Sequence, residues 1–423
     1  MDRCSACLFS FFMKNQQTSY PRNKIKILLF ENVSDSAIEE FKTQGYTEIT
    51  KLSKALSEDA LCETVKGVHI IGIRSKTQIT ERVLNAADKL LAIGCFCIGT
   101  NQVDLDAAMK KGVAVFNAPY SNTRSVAELV IGLFVMLIRR IPDKNRSAHE
   151  GVWLKEATSS FELRGKTLGI IGYGNIGSQV SILAENMGLN VIYYDILTKL
   201  PLGNAKKAKT LQELLQKSDI VTLHVPSDET TRNMMNKDTL SDVKEGAIFV
   251  NYSRGDVVDL EALKEYIETG KISGAAIDVF PVEPKKKGDR FETVLQNLPN
   301  VILTPHIGGS TQEAQVNIGM DAASKLINFL EFGTTTGSKT IPPIRLSPKE
   351  NTHRILHIHK NKPGVLSGIN SDLSKNGINI VGQYLKTNEE IGYVILDIDT
   401  TLSQKAIEIL KKIEGTIKIR MVY

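Results

Sequence analysis

The sequence has too few cysteines to build a disulfide framework: Cys4, Cys7, Cys62, Cys95 and Cys97 are all that 423 residues contain. This points to a reducing compartment. Cys4 and Cys7 form a C-x-x-C pair with no second pair or histidine beside it, so neither zinc nor any other metal is expected. No apolar run approaches the roughly 18–20 residues of a membrane span, and a cytoplasmic chain with no membrane partner is expected. No internal repeat or low-complexity tract is present. The net charge is only +5 and the basic residues are scattered. That leaves no footprint for nucleic acid but suits a small anionic substrate. What is there is ordinary for a globular enzyme, 42% hydrophobic and 23% charged, with room for about two or three domains. The leader, residues 1–23, holds a short apolar stretch from Ala6 to Met13 after Arg3 but no A-x-A-like cleavage pattern. It reads as a disordered tail, or as sequence ahead of a start at Met13. An organellar presequence remains the alternative.

The most informative stretch runs from Lys166 to Asp195. Thr167 to Ile171 is an apolar run of buried-strand length, followed at once by Gly172, Gly174 and Gly177 in the spacing G-x-G-x-x-G. The first glycine permits a sharp turn, the second lets a pyrophosphate approach the backbone, and the third lets the next helix pack on the strand. That helix puts Ile176, Val180, Leu183 and Met187 on one face, and Gly188 ends it. Its N-terminus suits a phosphate. Strand Asn190 to Tyr194 then delivers Asp195, about twenty residues past the glycines, where a carboxylate would bind a ribose 2′-hydroxyl and repel a 2′-phosphate. The implied cofactor is NAD rather than NADP.

Around this unit, strand and helix patterns alternate. The first half has strands at Ile25–Phe30, His69–Arg74, Leu90–Ile98 and Val113–Asn117, with helices at Ser34–Gln44, Glu58–Lys66 and Asp104–Lys111. A long apolar helix, Ser125 to Ile141, follows, and Pro142 either ends it or starts the next segment. Further strands are expected at Ile220–Val225, Ile248–Asn251, Gly274–Val279 and Val301–Pro305, completing a doubly wound sheet. A second long helix runs from Thr311 to Phe332, and the stretch Gly333 to Glu350 reads as a linker. From His353 to Tyr423 the order is β-α-β-β-α-β, a ferredoxin-like plan.

Three chemically capable residues follow strands of the doubly wound sheet: Arg254 in Asn-Tyr-Ser-Arg-Gly, Glu283 in Asp-Val-Phe-Pro-Val-Glu-Pro, and His306 in Leu-Thr-Pro-His-Ile-Gly-Gly. Oxidising an alcohol by hydride transfer needs a base tuned near neutral pH, a carboxylate to orient it, and a guanidinium to grip a substrate carboxylate. His306, Glu283 and Arg254 can supply these in turn. A strand-end histidine bonded to backbone is the plain alternative for His306 taken alone.

These motifs, with Gly-Tyr-Gly-Asn-Ile-Gly, Gly-Cys-Phe-Cys-Ile-Gly-Thr-Asn-Gln-Val-Asp and Asn-Ala-Pro-Tyr-Ser-Asn-Thr-Arg-Ser-Val-Ala-Glu, resemble the D-isomer-specific 2-hydroxyacid dehydrogenases from about Lys24 to Tyr423. The resemblance is to the branch that oxidises 3-phosphoglycerate and carries a C-terminal ACT domain. It implies a Rossmann NAD-binding domain (122–308) inserted in a flavodoxin-like substrate domain (24–121 and 309–338), a linker (339–351) and a ferredoxin-like ACT domain (352–423). It implies NAD contacts at Asn175, Ile176, Asp195, Tyr252, Ser253, Arg254, Asp278, His306, Ile307, Gly308 and Gly309, beside the glycine loop. Catalysis would fall to Arg254, Glu283 and His306, and substrate binding to Arg74, Ser75, Asn122, Arg124, Lys155 and Arg254 in a cleft between the domains. ACT domains pair edge to edge and bind amino acids between chains; His359, Asn361 and Asn379 match the positions that bind serine. A serine-inhibited homotetramer with 3-phosphoglycerate as substrate and 2-oxoglutarate reduction as a side activity is the implied whole. Tyr252 departs from the family, which usually has a small residue there. Two alternatives remain at this stage: another D-2-hydroxyacid dehydrogenase, or an NAD-sensing corepressor-like binding protein, against which the ACT tail argues.

Overall fold

The computed structural model describes residues 20–284, 288–349 and 351–422. The leader and its Cys4–Cys7 pair therefore lie outside the described residues, apart from the last few positions from Tyr20. The chain forms two compact units, Met1–Ser121 with Gln315–Tyr423, and Asn122–Ala314. Among the described residues no helix is long and apolar enough to cross a membrane.

The first unit opens with β1 (Ile27–Leu29), α1 (Asp35–Thr43), β2 (Ile49–Lys51), α2 (Glu58–Thr64), β3 (Ile70–Ile73), α3 (Glu81–Ala86), β4 (Ala92–Cys95), α4 (Leu105–Lys110) and β5 (Ala114–Asn117). The strands are parallel in the order β2-β1-β3-β4-β5, the flavodoxin-like arrangement. Strands β1, β3, β4 and β5 are buried at every position, as expected where helices cover both faces. The sequence pattern did not reveal β2 or α3. Strand β2 is a half-buried three-residue edge, and α3 buries only Val83 and Leu84, so neither carries a periodic signal.

The second unit starts with α5 (Thr123–Ile138) and α6 (Ile141–His149). Pro142 opens α6, after Arg140 takes a left-handed conformation with φ 51°. Then come β6 (Thr167–Ile171), α7 (Asn175–Asn186), β7 (Asn190–Tyr194), β8 (Lys206–Lys207), α8 (Leu211–Lys217), β9 (Ile220–Leu223), α9 (Lys237–Ser241), β10 (Ala247–Asn251), α10 (Leu260–Glu268), β11 (Ile272–Ile277) and β12 (Val301–Leu303). The sheet order is β12-β11-β10-β9-β6-β7-β8. The chain winds outward from β6 in one direction and then from β9 in the other, so the crevice between β6 and β9 is the switch point where ligands bind in such sheets. Two exposed lysines make up β8, with no apolar pattern from which to expect it.

The chain continues with α11 (Gln312–Phe332), β13 (Thr352–Lys360), α12 (Val365–Lys375), β14 (Ile380–Thr387), β15 (Ile391–Asp399), α13 (Ser403–Lys411) and β16 (Thr416–Met421). The four strands form an antiparallel sheet in the order β14-β15-β13-β16. The stretch before β13 has no helix or strand, yet it is tied down. Lys339 N–H donates to the Val115 carbonyl and Thr340 Oγ1 to the Val113 carbonyl. Arg354, 1% exposed, pairs with Asp397 at 2.7 Å and donates to the Phe332 and Ser347 carbonyls.

Candidate active site

The glycine loop shows steric necessity at two of its three positions. At Gly172, with φ 90°, a Cβ would lie 2.5 Å from the His224 carbonyl oxygen; at Gly177 it would lie 2.2 Å from the Gly172 carbonyl oxygen. At Gly174 nothing lies within 4 Å of where a Cβ would sit, which leaves open space beside the backbone. Gly177 lies on the inward side of α7, and Ile176 and Leu183 pack partly buried against the core. The buried positions are Gly177, Val180, Ser181 and Ala184, whereas Met187, expected on the inner face, is 45% exposed. Helix α7 has no side-chain cap at its N-terminus, so its first N–H groups are available to a phosphate. At the end of β7, Asp195 accepts hydrogen bonds from the Tyr173 N–H at 2.9 Å and the Leu197 N–H at 2.8 Å. The carboxylate is thereby fixed beside the glycine loop. Open space at Gly174, an uncapped helix end and an oriented carboxylate fit a dinucleotide.

The ends of β10, β11 and β12 carry the remaining groups. After β10, Asn251 folds its side chain over the turn: Oδ1 accepts from the Ser253 N–H and hydroxyl, and Nδ2 donates to the Arg254 carbonyl at 2.9 Å. Gly255 seats this turn, because a Cβ there would fall 2.1 Å from the Phe280 carbonyl carbon. The Arg254 guanidinium donates to the Ser253 carbonyl at 2.7 Å and lies within electrostatic range of Glu283 and His306.

After β11, Asp278 is 2% exposed and organises the loop that follows β12. Its Oδ1 accepts from the Ile307 N–H at 2.8 Å and from the Thr304 hydroxyl at 2.6 Å; its Oδ2 accepts from the Gly308 N–H at 2.8 Å. Its carbonyl accepts from the His306 N–H. Since the Thr304 proton goes to Asp278, the Tyr252 hydroxyl donates to Thr304 Oγ1, at 2.7 Å. Burial pushes the Tyr252 hydroxyl up to about 12, with the Thr304 bond opposing, so it stays protonated. His306 is held at φ 54°, a left-handed conformation that a non-glycine residue adopts at a cost and that concentrates at functional sites.

The His306 ring is bonded through Nδ1 to Glu283 Oε1 and Oε2 at 3.1 and 2.9 Å. An ionised carboxylate only accepts, so Nδ1 carries the proton and Nε2 is the free basic nitrogen of the neutral ring. The Glu283 bond raises the His306 imidazole above its ordinary value, against burial. Burial works against ionisation of Glu283, but the hydrogen bond and charge of His306, the Phe280 N–H and the Arg254 charge outweigh it and hold the carboxyl below the usual range. The three catalytic candidates are thus one electrostatic group.

The remaining candidates divide. Arg74 and Ser75 belong to the first unit, in a loop whose Arg74, Lys76 and Thr77 N–H groups donate to Glu31. In the second unit Arg124 is paired with Glu128 along α5 at 2.5 Å, and Lys155 is exposed. Asn122 is buried against Gly309, and its Oδ1 has no hydrogen-bond partner among the described residues. In the antiparallel sheet, His359 is buried with Nδ1 bonded to the Lys360 carbonyl and Nε2 unpartnered among the described residues. Asn361 donates to the Asn388 carbonyl. Asn379 sits at the opposite end of the strands, beside Asp399, roughly 23–30 Å away at 3.3 Å per residue. One chain therefore does not bring the three together. Asn251, Gly255 and Thr304 were not singled out from the sequence. The Asn before a Ser-Arg-Gly turn was the available signal for the first.

Residues 131–308 match the family described as D-isomer specific 2-hydroxyacid dehydrogenase, NAD binding domain, and residues 355–418 match an AHAS small subunit-like ACT domain. A D-3-phosphoglycerate dehydrogenase of Haemophilus influenzae is 51% identical over 96% of this chain and 99% of its own length. One from Dictyostelium discoideum is 47% identical over 96% of this chain and 99% of its own length. Among solved structures, a D-2-hydroxyisocaproate dehydrogenase aligns with a TM-score of 0.68 at 26% identity, covering 75% of this chain and 100% of that one. A D-lactate dehydrogenase from Aquifex aeolicus complexed with NAD and lactic acid gives 0.64 at 26% identity, covering 75% and 100%.

Proposed function

The chain belongs to the D-3-phosphoglycerate dehydrogenases, a family of D-isomer specific 2-hydroxyacid dehydrogenases, and we infer that it oxidises 3-phospho-D-glycerate to 3-phosphohydroxypyruvate, the entry step of serine synthesis. NAD is the cofactor, and its nicotinamide, when bound, accepts the hydride. Gly172, Gly174, Gly177 and the N-terminus of α7 would hold the pyrophosphate, with Asn175 and Ile176 beside it and Asp195 on the ribose. Tyr252, Ser253, Asp278 and the loop Ile307–Gly309 would line the nicotinamide end. Arg254 grips the substrate carboxylate through two N–H groups. His306 Nε2 takes the hydroxyl proton as the hydride leaves, and Glu283 stabilises the imidazolium that results. Arg74, Ser75, Asn122, Arg124 and Lys155 are proposed as the further contacts that accommodate a phosphorylated acid.

The observation that carries this reading is the coupling of His306 to Glu283 within the field of Arg254. The test is NADH formation with 3-phosphoglycerate against lactate, glycerate and 2-hydroxyglutarate. Turnover of the unphosphorylated acids with none of 3-phosphoglycerate would overturn it.

The ACT domain is proposed to bind serine between two copies of the chain. The separation of His359 and Asn361 from Asn379 supports this, since a two-fold pairing along the edge strand β14 brings opposite ends of the two sheets together. Paired ACT and catalytic domains would make a homotetramer. Serine is expected to lower turnover, and Asn361→Ala to abolish that response; inhibition unchanged in the variant would move the site elsewhere.

A further inference from the structure

Away from the proposed catalytic residues, the first unit holds an open cavity of about 380 Å³ between the segments that lead into β1, β3 and β4 and the ACT elements α13 and β16. Its charges do not balance. Glu331, 4% exposed, is the acidic residue in the wall, and its oxygens are already taken. Oε1 accepts from Arg22 Nε at 2.8 Å and from the Tyr46 hydroxyl at 2.5 Å, while Oε2 accepts from Arg22 Nη2 at 2.6 Å. Arg420, across the cavity on β16, therefore has no carboxylate of its own. Its Nη2 donates to the Phe329 carbonyl at 2.6 Å, and its guanidinium lies over the Phe329 ring at 5.0 Å. Among the described residues no acid lies within ion-pair distance of it.

Two more cations lie near Arg420, Lys418 outside the cavity lining and Lys411 within it. Lys418, two residues earlier on the same face of β16, donates to the Leu90 carbonyl at 2.6 Å and likewise has no acid partner among the described residues. Burial pushes its amine down to about 8, helped by Arg420, and burial also lowers Arg420 below its ordinary value. Lys411, exposed in the last turn of α13, lines the cavity mouth. Cations partly removed from water without a counter-charge are costly to a fold. A bound anion removes that cost. The wall also carries His69 and Gln404, but Ile25, Leu91, Leu330, Ile407 and Val422 give it an apolar part that suits a hydrocarbon body.

We propose that this cavity binds a small amphipathic anion, a carboxylate or phosphate monoester bearing a short apolar group, with its head on Arg420 and Lys411. The site is separate from the residues proposed for 3-phosphoglycerate and for serine. Its walls come from the segments before β1, β3 and β4 and from α13 and β16, so an occupant ties the ACT domain to the parallel-sheet domain.

The experiment uses the full-length protein, with phenyl phosphate and hexanoate as probes in calorimetry and thermal unfolding, and phenol and hexanol as neutral controls. Saturable binding of one anion per chain is expected, with a rise in melting temperature that the neutral controls do not produce. The tighter probe identifies the head group. Gln404→Trp, at an exposed position of the wall, blocks the mouth; Lys411→Glu reverses a surface charge. Both should fold and turn over 3-phosphoglycerate as the parent does, and each should weaken anion binding at least about tenfold. Arg420→Gln should do so more strongly, but the side chain is half-buried and packed on Phe329, so its folding must be checked. Absence of saturable binding, or binding that survives Gln404→Trp and Lys411→Glu, overturns the proposal. So does binding lost instead in Arg254→Gln or His359→Ala, which places the anion in the catalytic or serine site.

Discussion

Replacing Glu283 with Gln keeps the shape beside His306 and removes the charge. In the parent, His306 Nδ1 sits 2.9 and 3.1 Å from the two carboxylate oxygens. A hydrogen bond to a charged group contributes about 1.5–3 kcal/mol. The two side chains are 52% and 36% exposed, so solvent screening keeps the effect near the lower end of that range. At about 1.4 kcal/mol per factor of ten, kcat/KM for 3-phosphoglycerate should fall about ten- to thirtyfold. The pH profile should move as well, and its sign follows from the cause. The Glu283 bond holds the His306 imidazole above its ordinary value while burial opposes it. His306 must be neutral to accept the hydroxyl proton, so oxidation is lost as pH falls through that raised value. With the carboxylate gone, burial remains, and the acid limb moves to lower pH. Reduction of the keto acid needs the protonated ring, so in the variant it is lost at a lower pH than in the parent. Stopped-flow NADH formation from about pH 5 to 9 measures both effects, and NAD fluorescence titration checks that the cofactor site is intact. A variant with parental kcat/KM and an unmoved acid limb would refute the reasoning.

Gly177→Ala places a methyl 2.2 Å from the Gly172 carbonyl oxygen. It should cost about 1–3 kcal/mol, visible as a lower melting temperature and weaker NAD binding; parental values for both would contradict the packing argument. Asp195→Ala should raise the KM for NAD and lessen the discrimination against NADP, because it removes the carboxylate fixed by the Tyr173 and Leu197 N–H groups; an unchanged cofactor preference would remove Asp195 from that role. Asp397→Asn removes the carboxylate charge from beside Arg354, which is 1% exposed. Urea unfolding should register a loss of about 3–5 kcal/mol, and a loss under about 1 kcal/mol would mean that the carbonyls of Phe332 and Ser347 suffice. Tyr252→Phe removes only the donor to Thr304 and should cost about 1 kcal/mol of stability, with kcat reduced less than by Glu283→Gln; a larger kcat loss would give the hydroxyl a part in the reaction itself.

The sequence by itself determined the features that depend on neighbours along the chain. The spacing of Gly172, Gly174 and Gly177, the acid at Asp195, and the placing of Arg254, Glu283 and His306 just after strands are local patterns. A strand or turn must express them in whatever fold forms. Tertiary structure decided what depends on residues far apart. The sequence placed Met187 on the inner face of α7 by its apolar period; Val180 is buried and Ile176 and Leu183 pack on the core, but the helix ends at Asn186 and its C-cap Met187 is left exposed. The bonds from Asp278 to the Ile307 and Gly308 N–H groups bridge about thirty residues; no periodicity records them, although they hold the backbone just after His306. The edge strands β2 and β8 have no apolar run to announce them, and pairing alone makes them strands. The stretch before β13 has the composition of a linker, yet it is held by β5 and by Arg354. The unbalanced charge of Arg420 is invisible in a chain whose basic residues look evenly spread. It arises only when folding partly buries that guanidinium and assigns the nearby carboxylate, Glu331, to Arg22. Local steric and period rules act through a few bonds, whereas burial and charge pairing are properties of the folded neighbourhood.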